Sequence, residues 1–235
     1  MPASSSETPQ GGIRFSRPGA TEEMDLSWLD SSLVADLSAD GQLVLFTEVG
    51  QAGGAEGAVY LRKADGSAPV RLGTGLALAL SPDGKWALTM SRTQVSMEVL
   101  PTGAGAPVKL KGSFTRYWPE GRWLPDGAHV AVVIAGKGAL VSTSDGKTEP
   151  LQNVGASDEP IAWSADGRTV YVRRGLEVSR VDVSSGARAT WKTLGLSDRA
   201  GFSGLYGIAI TPNAKAYAYS YGRLLTDLYV VTGLR

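Results

Sequence analysis

Few residues in this chain could perform covalent chemistry, and their sequence surroundings argue against it. Gly201-Phe202-Ser203-Gly204-Leu205 approaches the G-x-S-x-G pattern that exposes a nucleophilic serine, but Leu205 stands where the last glycine belongs. The pattern also needs a strand-to-helix turn, and here it precedes a strand with no helical segment behind it. A serine nucleophile needs a base, and His129 is the only histidine in 235 residues. His129 lies two residues past Asp126-Gly127, where it reads as a surface or edge residue. One histidine and no cysteine exclude multi-histidine metal centres, thiolate sites and disulfides. The recurrent Asp-Gly pairs lack the dense oxygen ligands and closing glutamate of a calcium loop. Making turns is a sufficient role for them. The expectation is therefore no catalytic residue, no metal, no cofactor and no enzymatic activity.

Binding chemistry is better represented. Gly112 to Glu120 (GSFTRYWPE) joins two strand-rich repeats and holds Phe114, Arg116, Tyr117 and Trp118 in nine residues. Flat aromatic area beside a guanidinium is what partner hot spots are made of. Loops on the same side would add Arg92, Arg173, Arg174, Arg199, Phe202 and Arg223. These ten residues are the candidate surface for a protein or peptide partner. Aromatics folded back over a seam between repeats are the plainer reading of the same loop.

The elements that must position this surface follow from a repeat. Leu76 to Leu80 (LALAL) alternates leucine and alanine with neither side polar, which suits a strand covered on both faces. Ser81-Pro82-Asp83-Gly84 then supplies a turn. Pro82 presets its own φ, Asp83 can bond the local backbone, and Gly84 takes a left-handed conformation without steric cost. Lys85 to Met90 leads back out. The same turn recurs at Asp40, Asp83, Asp126, Asp166 and Asn213, in steps of 43, 43, 40 and 47 residues. Each copy carries about four short strands, so the period is that of a four-stranded propeller blade. Strict two-residue alternation, with Gly and Pro inside each unit, excludes helical repeats. The fold class is all-β: a propeller of four-stranded antiparallel blades, five recognisable, the fifth ending on Thr226 to Gly233 as its third strand. Ile13–Arg17 and Glu23–Trp28, joined by Pro18-Gly19, read as a half-blade hairpin that either completes the fifth blade or begins a sixth. Ala214 replaces the turn glycine of the other copies, so that turn is expected to differ or to place Asn213 in the left-handed region.

Composition bounds the rest. With 43% hydrophobic residues the chain can build a core, and 30 glycines and 12 prolines fall between apolar runs, as turns require. Its 23 basic and 23 acidic residues cancel, which gives no footprint for nucleic acid or an anionic membrane. The longest apolar run, Val130 to Ala135, is far short of the ~20 residues of a membrane span. Residues 1–12 lack the basic start and apolar centre of a signal peptide and read as a disordered leader, with 13–235 as a single domain. Tryptophans 86, 123, 163 and 191 fall within strands, where wedging between blades accounts for them.

Laid side by side, SPDGKWALT, LPDGAHVAV and WSADGRTVYV resemble the TolB-type, WD40-like propeller repeat, over residues 33–233. The longer phrases MDLSWLDSSLVADLSADGQLVLFTE, VYLRKADGSAPVRLGTGLALALSPDGKWAL and YAYSYGRLLTDLYVVTGLR resemble the C-terminal propeller region of bacterial eukaryotic-like serine/threonine kinases. That resemblance implies a sensory or docking propeller, truncated or standing alone and monomeric. The chain lacks a Gly-rich phosphate loop, V-A-I-K, H-R-D and D-F-G, so kinase activity is not implied. The resemblance implies an extracytoplasmic location, whereas the chain expressed as it stands, without a signal peptide, would be cytoplasmic. Two alternatives remain: a stand-alone TolB-like envelope protein that binds a protein partner, and the gating propeller of a prolyl-oligopeptidase-like enzyme whose catalytic domain is elsewhere.

Overall fold

The computed structural model describes residues 3–93, 96–109, 122–134, 137–142, 147–154 and 157–230. The chain opens with β1 (Ala3–Ser16) and β2 (Met24–Asp25). Four antiparallel units follow in order. The first is β3 (Ser31–Leu37), β4 (Leu43–Val49), β5 (Ala58–Lys63) and β6 (Val70–Thr74). The second is β7 (Leu76–Leu80), β8 (Trp86–Met90), β9 (Met97–Pro101) and β10 (Val108–Lys109). The third is β11 (Arg122–Trp123), β12 (His129–Ile134), β13 (Lys137–Ser142) and β14 (Thr148–Pro150). The fourth is β15 (Glu159–Trp163), β16 (Thr169–Arg174), β17 (Glu177–Asp182) and β18 (Arg188–Thr193). Last come β19 (Phe202–Ile210) and β20 (Tyr217–Val230).

The fifth unit is completed from the other end of the chain. β20 pairs with β19 on one side and, antiparallel, with β1 on the other, from Ser16↔Tyr217 out to Ala3↔Val230; β2 then pairs with β1. The N-terminal hairpin thus supplies the third and fourth strands of this unit. β1 begins at Ala3, inside the stretch read from sequence as a leader. Thr226 to Val230 is not a separate third strand, because β20 runs unbroken through it, and the rest of the expected strand, to Gly233, lies outside the described residues. Gly222, which reads as a strand end, is a packing position instead. A methyl there would meet the Tyr206 ring at 2.4 Å and Ser203 Oγ at 2.6 Å.

Turn chemistry follows expectation at Asp83. Lys85 N donates to Asp83 Oδ1 (3.1 Å), Trp86 N to Ser81 Oγ (3.0 Å), and Gly84 has φ 68°. The Asn213 turn is a correction. It keeps the same geometry, with Ala214 itself at φ 55°. Ala214 N donates to Thr211 O (2.7 Å) and Lys215 N to Asn213 Oδ1 (3.0 Å), and these bonds hold the alanine where glycine would sit without strain.

Among the described residues the core is a set of five seams. Ile13, Phe15 and Leu26 pack with Val34, Leu37, Val44 and Phe46, joining the fifth unit to the first. Leu45, Val59 and Leu100 join the first to the second, and Leu78, Met90 and Ala139 the second to the third. Trp163 packs with Ala131 and Leu151, and Tyr171 with Trp191 and Tyr217, completing the circuit. Trp123 packs at the seam between the second and third units, so three of the four strand tryptophans are seam residues. All five residues of β7 are buried, as its apolar alternation requires.

Candidate functional site

The innermost strands carry β-bulges at Val34/Asp36, Ala77/Ala79, Pro160/Ala162 and Leu205/Gly207. A bulge turns a backbone group out of the ladder, and a group turned inward must find another partner. Arg122, on the innermost strand of the third unit, is that partner for the bulged Leu78 and Ile161, and it also reaches Ile208, which stays in register with Tyr219. Its Nε donates to Ile161 O (2.8 Å), one terminal nitrogen to Leu78 O (2.8 Å) and the other to Ile208 O (3.2 Å). Those carbonyls belong to the innermost strands of the fourth, second and fifth units. The first unit contributes Asp36, whose carboxylate lies within Coulombic reach of Arg122 and accepts from Leu80 N (2.9 Å) and Leu37 N (2.8 Å). Arg122 is 6% exposed, and Asp36 is half-buried. Burial pushes the Asp36 carboxyl above its ordinary pKa, partly offset by Arg122 and the two amides. All five innermost strands therefore meet at one guanidinium, which closes the axis of the ring. Sequence reasoning missed this pair. The signal was present: four residues before the turn Asp or Asn, the five repeats read Asp36, Ala79, Arg122, Ala162 and Ala209, two opposite charges among alanines.

On the face formed by the Asp-Gly turns the carboxylates are engaged locally. Asp40 accepts from Ser38 Oγ (2.6 Å) and Gln42 N (3.0 Å), and Asp166 from Ser164 Oγ (2.6 Å) and Arg168 N (3.0 Å). These bonds, the serine hydroxyl foremost, hold both carboxyls below their ordinary pKa. His129 belongs to this face, its Nδ1 2.7 Å from Asp126 Oδ2. Ser203 lies at the other end of the strands, its Oγ 3.2 Å from the Tyr206 hydroxyl. Serine and histidine are on opposite faces and cannot act as nucleophile and base. Among the described residues no cluster of three or more His, Asp or Glu is arranged to hold a metal.

The opposite face gathers the remaining loops. Phe114, Arg116, Tyr117 and Trp118 lie outside the described residues. Arg199, Phe202 and Arg223 come together: Phe202 is opposite Arg223 in the ladder, Phe202 N donates to Arg199 O (3.0 Å), and Arg223 donates to Asp198 O (2.9 Å). Arg173 joins them through Leu205 O (3.1 Å) while its Nε bonds Glu159 (2.6 Å). Arg174 turns away to the buried Asp158, which it shares with Arg188 at 2.7 and 2.5 Å. Arg92 stands apart in the second unit, where its amide donates to Glu56 of the first (2.8 Å). Two tyrosines outside the ten candidate residues belong to the gathered cluster. Tyr206 is 54% exposed, and Tyr221 lies between Arg14 and Arg223, whose guanidinium carbons are 5.8 and 6.0 Å from its ring centre. Arginine over an aromatic face is attractive and holds the ring flat.

No protein-family model matches the chain, and no curated protein is significantly similar to it. Solved structures do resemble it. TolB from Acinetobacter baumannii superposes with a TM-score of 0.57 at 14% identity, covering 93% of this chain and 66% of that one. A putative TolB from Agrobacterium tumefaciens gives 0.56 at 15% identity, covering 92% and 99%. A chain of a nidogen/laminin complex gives 0.54 at 12% identity, covering 85% and 81%. The chain thus spans just under two thirds of the Acinetobacter protein's length, and its fold is a TolB-like β-propeller.

Proposed function

We propose that the chain is a non-catalytic binding module whose partner surface is the loop face. The observation that carries this reading is Arg122: it closes the axis from within, and the turn carboxylates answer to their own loops, which leaves the loop face to meet a partner. Binding residues commonly sit on loops held by a rigid scaffold. One structural neighbour was solved as a nidogen/laminin complex, in keeping with a protein partner. On this reading Phe114, Arg116, Tyr117 and Trp118 form the anchor, with Arg199, Phe202 and Arg223 as a second patch and Arg92, Arg173 and Arg174 around them.

The test is capture of partners from the native host, then titration of the captured protein against wild type and Trp118→Ala. A hot spot would lose ~2 kcal/mol or more of affinity with an unchanged melting curve. Equal affinities would place the site elsewhere, and a large drop in thermal stability would make Trp118 seam packing. Loss of a hydrolytic activity in folded Ser203→Ala would instead favour the peptidase alternative. The finer reading, a sensory propeller of a kinase-type protein, rests on the phrases quoted above. An upstream kinase reading frame would support it, and an envelope operon would favour the stand-alone alternative.

A further inference from the structure

β1 and β20 are paired over fourteen residues, about twice the length of the other second strands in the ring. β19 accompanies β20 only as far as Phe202↔Arg223. One more bond, from Leu224 N to Gly201 O (2.8 Å), fixes the point of departure. Beyond it, Leu225 to Val230 continues with β1 alone, a two-stranded arm extending roughly 20 Å past the end of β19 at ~3.3 Å per residue.

The arm has two edges, and they differ. Among the described residues no strand lies along β1 from Ala3 to Gln10 or along the outer side of β20 from Leu225 to Val230. The β1 edge reads ASSSETPQ, where Pro9 has no N–H to offer and the rest is polar, a blunted edge. The β20 edge reads Leu-Thr-Asp-Leu-Tyr-Val, with Asp227 its single charge and no proline or lysine, so it is less blunted than the β1 edge. Because Leu224 N points to the β19 side and the β1 register is unbroken, the N–H and C=O groups of Thr226 and Leu228 face the open edge, while those of Leu225, Asp227 and Tyr229 serve β1.

We propose that this edge takes one extended, largely apolar segment of a partner protein by strand addition, with an acidic C-terminal end. The inference rests on the loop face being the partner surface and names the kind of partner. Its direction follows from the sheet. An antiparallel guest runs the same way as β19, towards the ring, so its C-terminal end arrives at the turn Asp198–Gly201. There Arg199 is exposed, and among the described residues no carboxylate pairs with its guanidinium, unlike Arg173, Arg174 and Arg223. A second copy of the chain fits less well: antiparallel self-pairing centred on Asp227 sets two carboxylates against each other.

The probe is a fluorescein-labelled heptapeptide of alternating threonine and valine ending in glutamate, titrated by fluorescence anisotropy against the full chain. Binding is expected, weakened about tenfold or more by Thr226→Pro, which removes an edge donor without touching the β1 ladder. Arg199→Gln should weaken the glutamate-ended peptide several-fold and leave an amidated, glutamine-ended peptide unchanged. No binding, or equal binding to Thr226→Pro with its melting curve intact, overturns the proposal. Sedimentation showing a dimer that Thr226→Pro dissolves would also overturn it, assigning the edge to a second copy. The Trp118→Ala titration is independent of this edge, so the two readings fail separately.

Discussion

Replacing Arg122 by methionine keeps most of the side-chain volume and removes only the charge and the donors. Three carbonyls on three units lose their partner, and Asp36 loses the Arg122 cation that faces it. Removing one member of a buried charged pair costs about 3–5 kcal/mol. Asp36 is only half-buried, which argues for the lower end. At ~2–4 °C per kcal/mol for a domain of this size, the melting temperature should fall by roughly 10 °C. The assay is thermal unfolding by circular dichroism of wild type, Arg122→Met, Asp36→Asn and the double variant. Since the two groups face each other, Arg122→Met should cost less in the Asp36→Asn background, by ~1 kcal/mol or more. A loss below about 1 kcal/mol, or the same loss in both backgrounds, would refute the view that the guanidinium holds the inner strands together.

Deleting residues 1–30 removes β1 and β2, leaves the β1-facing edge of β20 unpaired and strips Ile13, Phe15 and Leu26 from the closing seam; circular dichroism and sedimentation should show lower stability and aggregation together. An unchanged, cooperative melt would place the hairpin outside the ring. Ala214→Gly should raise stability by up to ~1 kcal/mol by relieving the left-handed alanine, read from urea midpoints. For acid, the Ser184 hydroxyl and then the Ser185 amide lower the Asp182 carboxyl from 3.8 to about 2. Its contribution is therefore present above 3.8 and disappears as pH falls towards about 2, and Asp182→Asn should flatten the melting profile across that window. Asp36 has the opposite sign. Its raised pKa adds stability that is lost as pH rises through the raised value, so Asp36→Asn should remove a loss on the neutral side of 3.8.

What sequence alone revealed was whatever short segments decide. The Asp-Gly turns and the alternation of Leu76–Leu80 are set by neighbours within a few residues, and the blades followed from them. The outcome differed where distant residues decide. Gly222 looks like a strand end until the ring of Tyr206 is seen above it, and only then is it clear why β20 continues. Ala214 adopts the glycine conformation because Thr211 and Asn213 make the same turn bonds here that Ser81 and Asp83 make in the second copy. The loop arginines were recognisable as a charged set, but their partners Asp158, Glu159 and Asp198 lie on other strands and loops, and these acids decide that Arg199 stays available while its neighbours are held.

The unit that closes the ring is also the one that projects from it, and the two roles share the same hydrogen bonds. The segment after β2 is tied to the first unit by Arg62, which donates to Leu26 O (2.9 Å), and β20 by Ser220, whose hydroxyl accepts from Val34 N (2.5 Å). Unzipping β1 from β20 would open the arm and the closing seam together, because one ladder runs from Ala3↔Val230 through to Ser16↔Tyr217. A strand added to the outer edge of β20 requires β20 to stay extended, so it favours the paired form of that ladder. Whatever binds the arm therefore stabilises the ring by mass action, growing with the logarithm of its concentration over Kd. By reciprocity, a variant that loosens the closing seam, such as Phe15→Ala, must weaken the guest wherever the opened form becomes populated, although Phe15 lies far along β1 from the edge that binds.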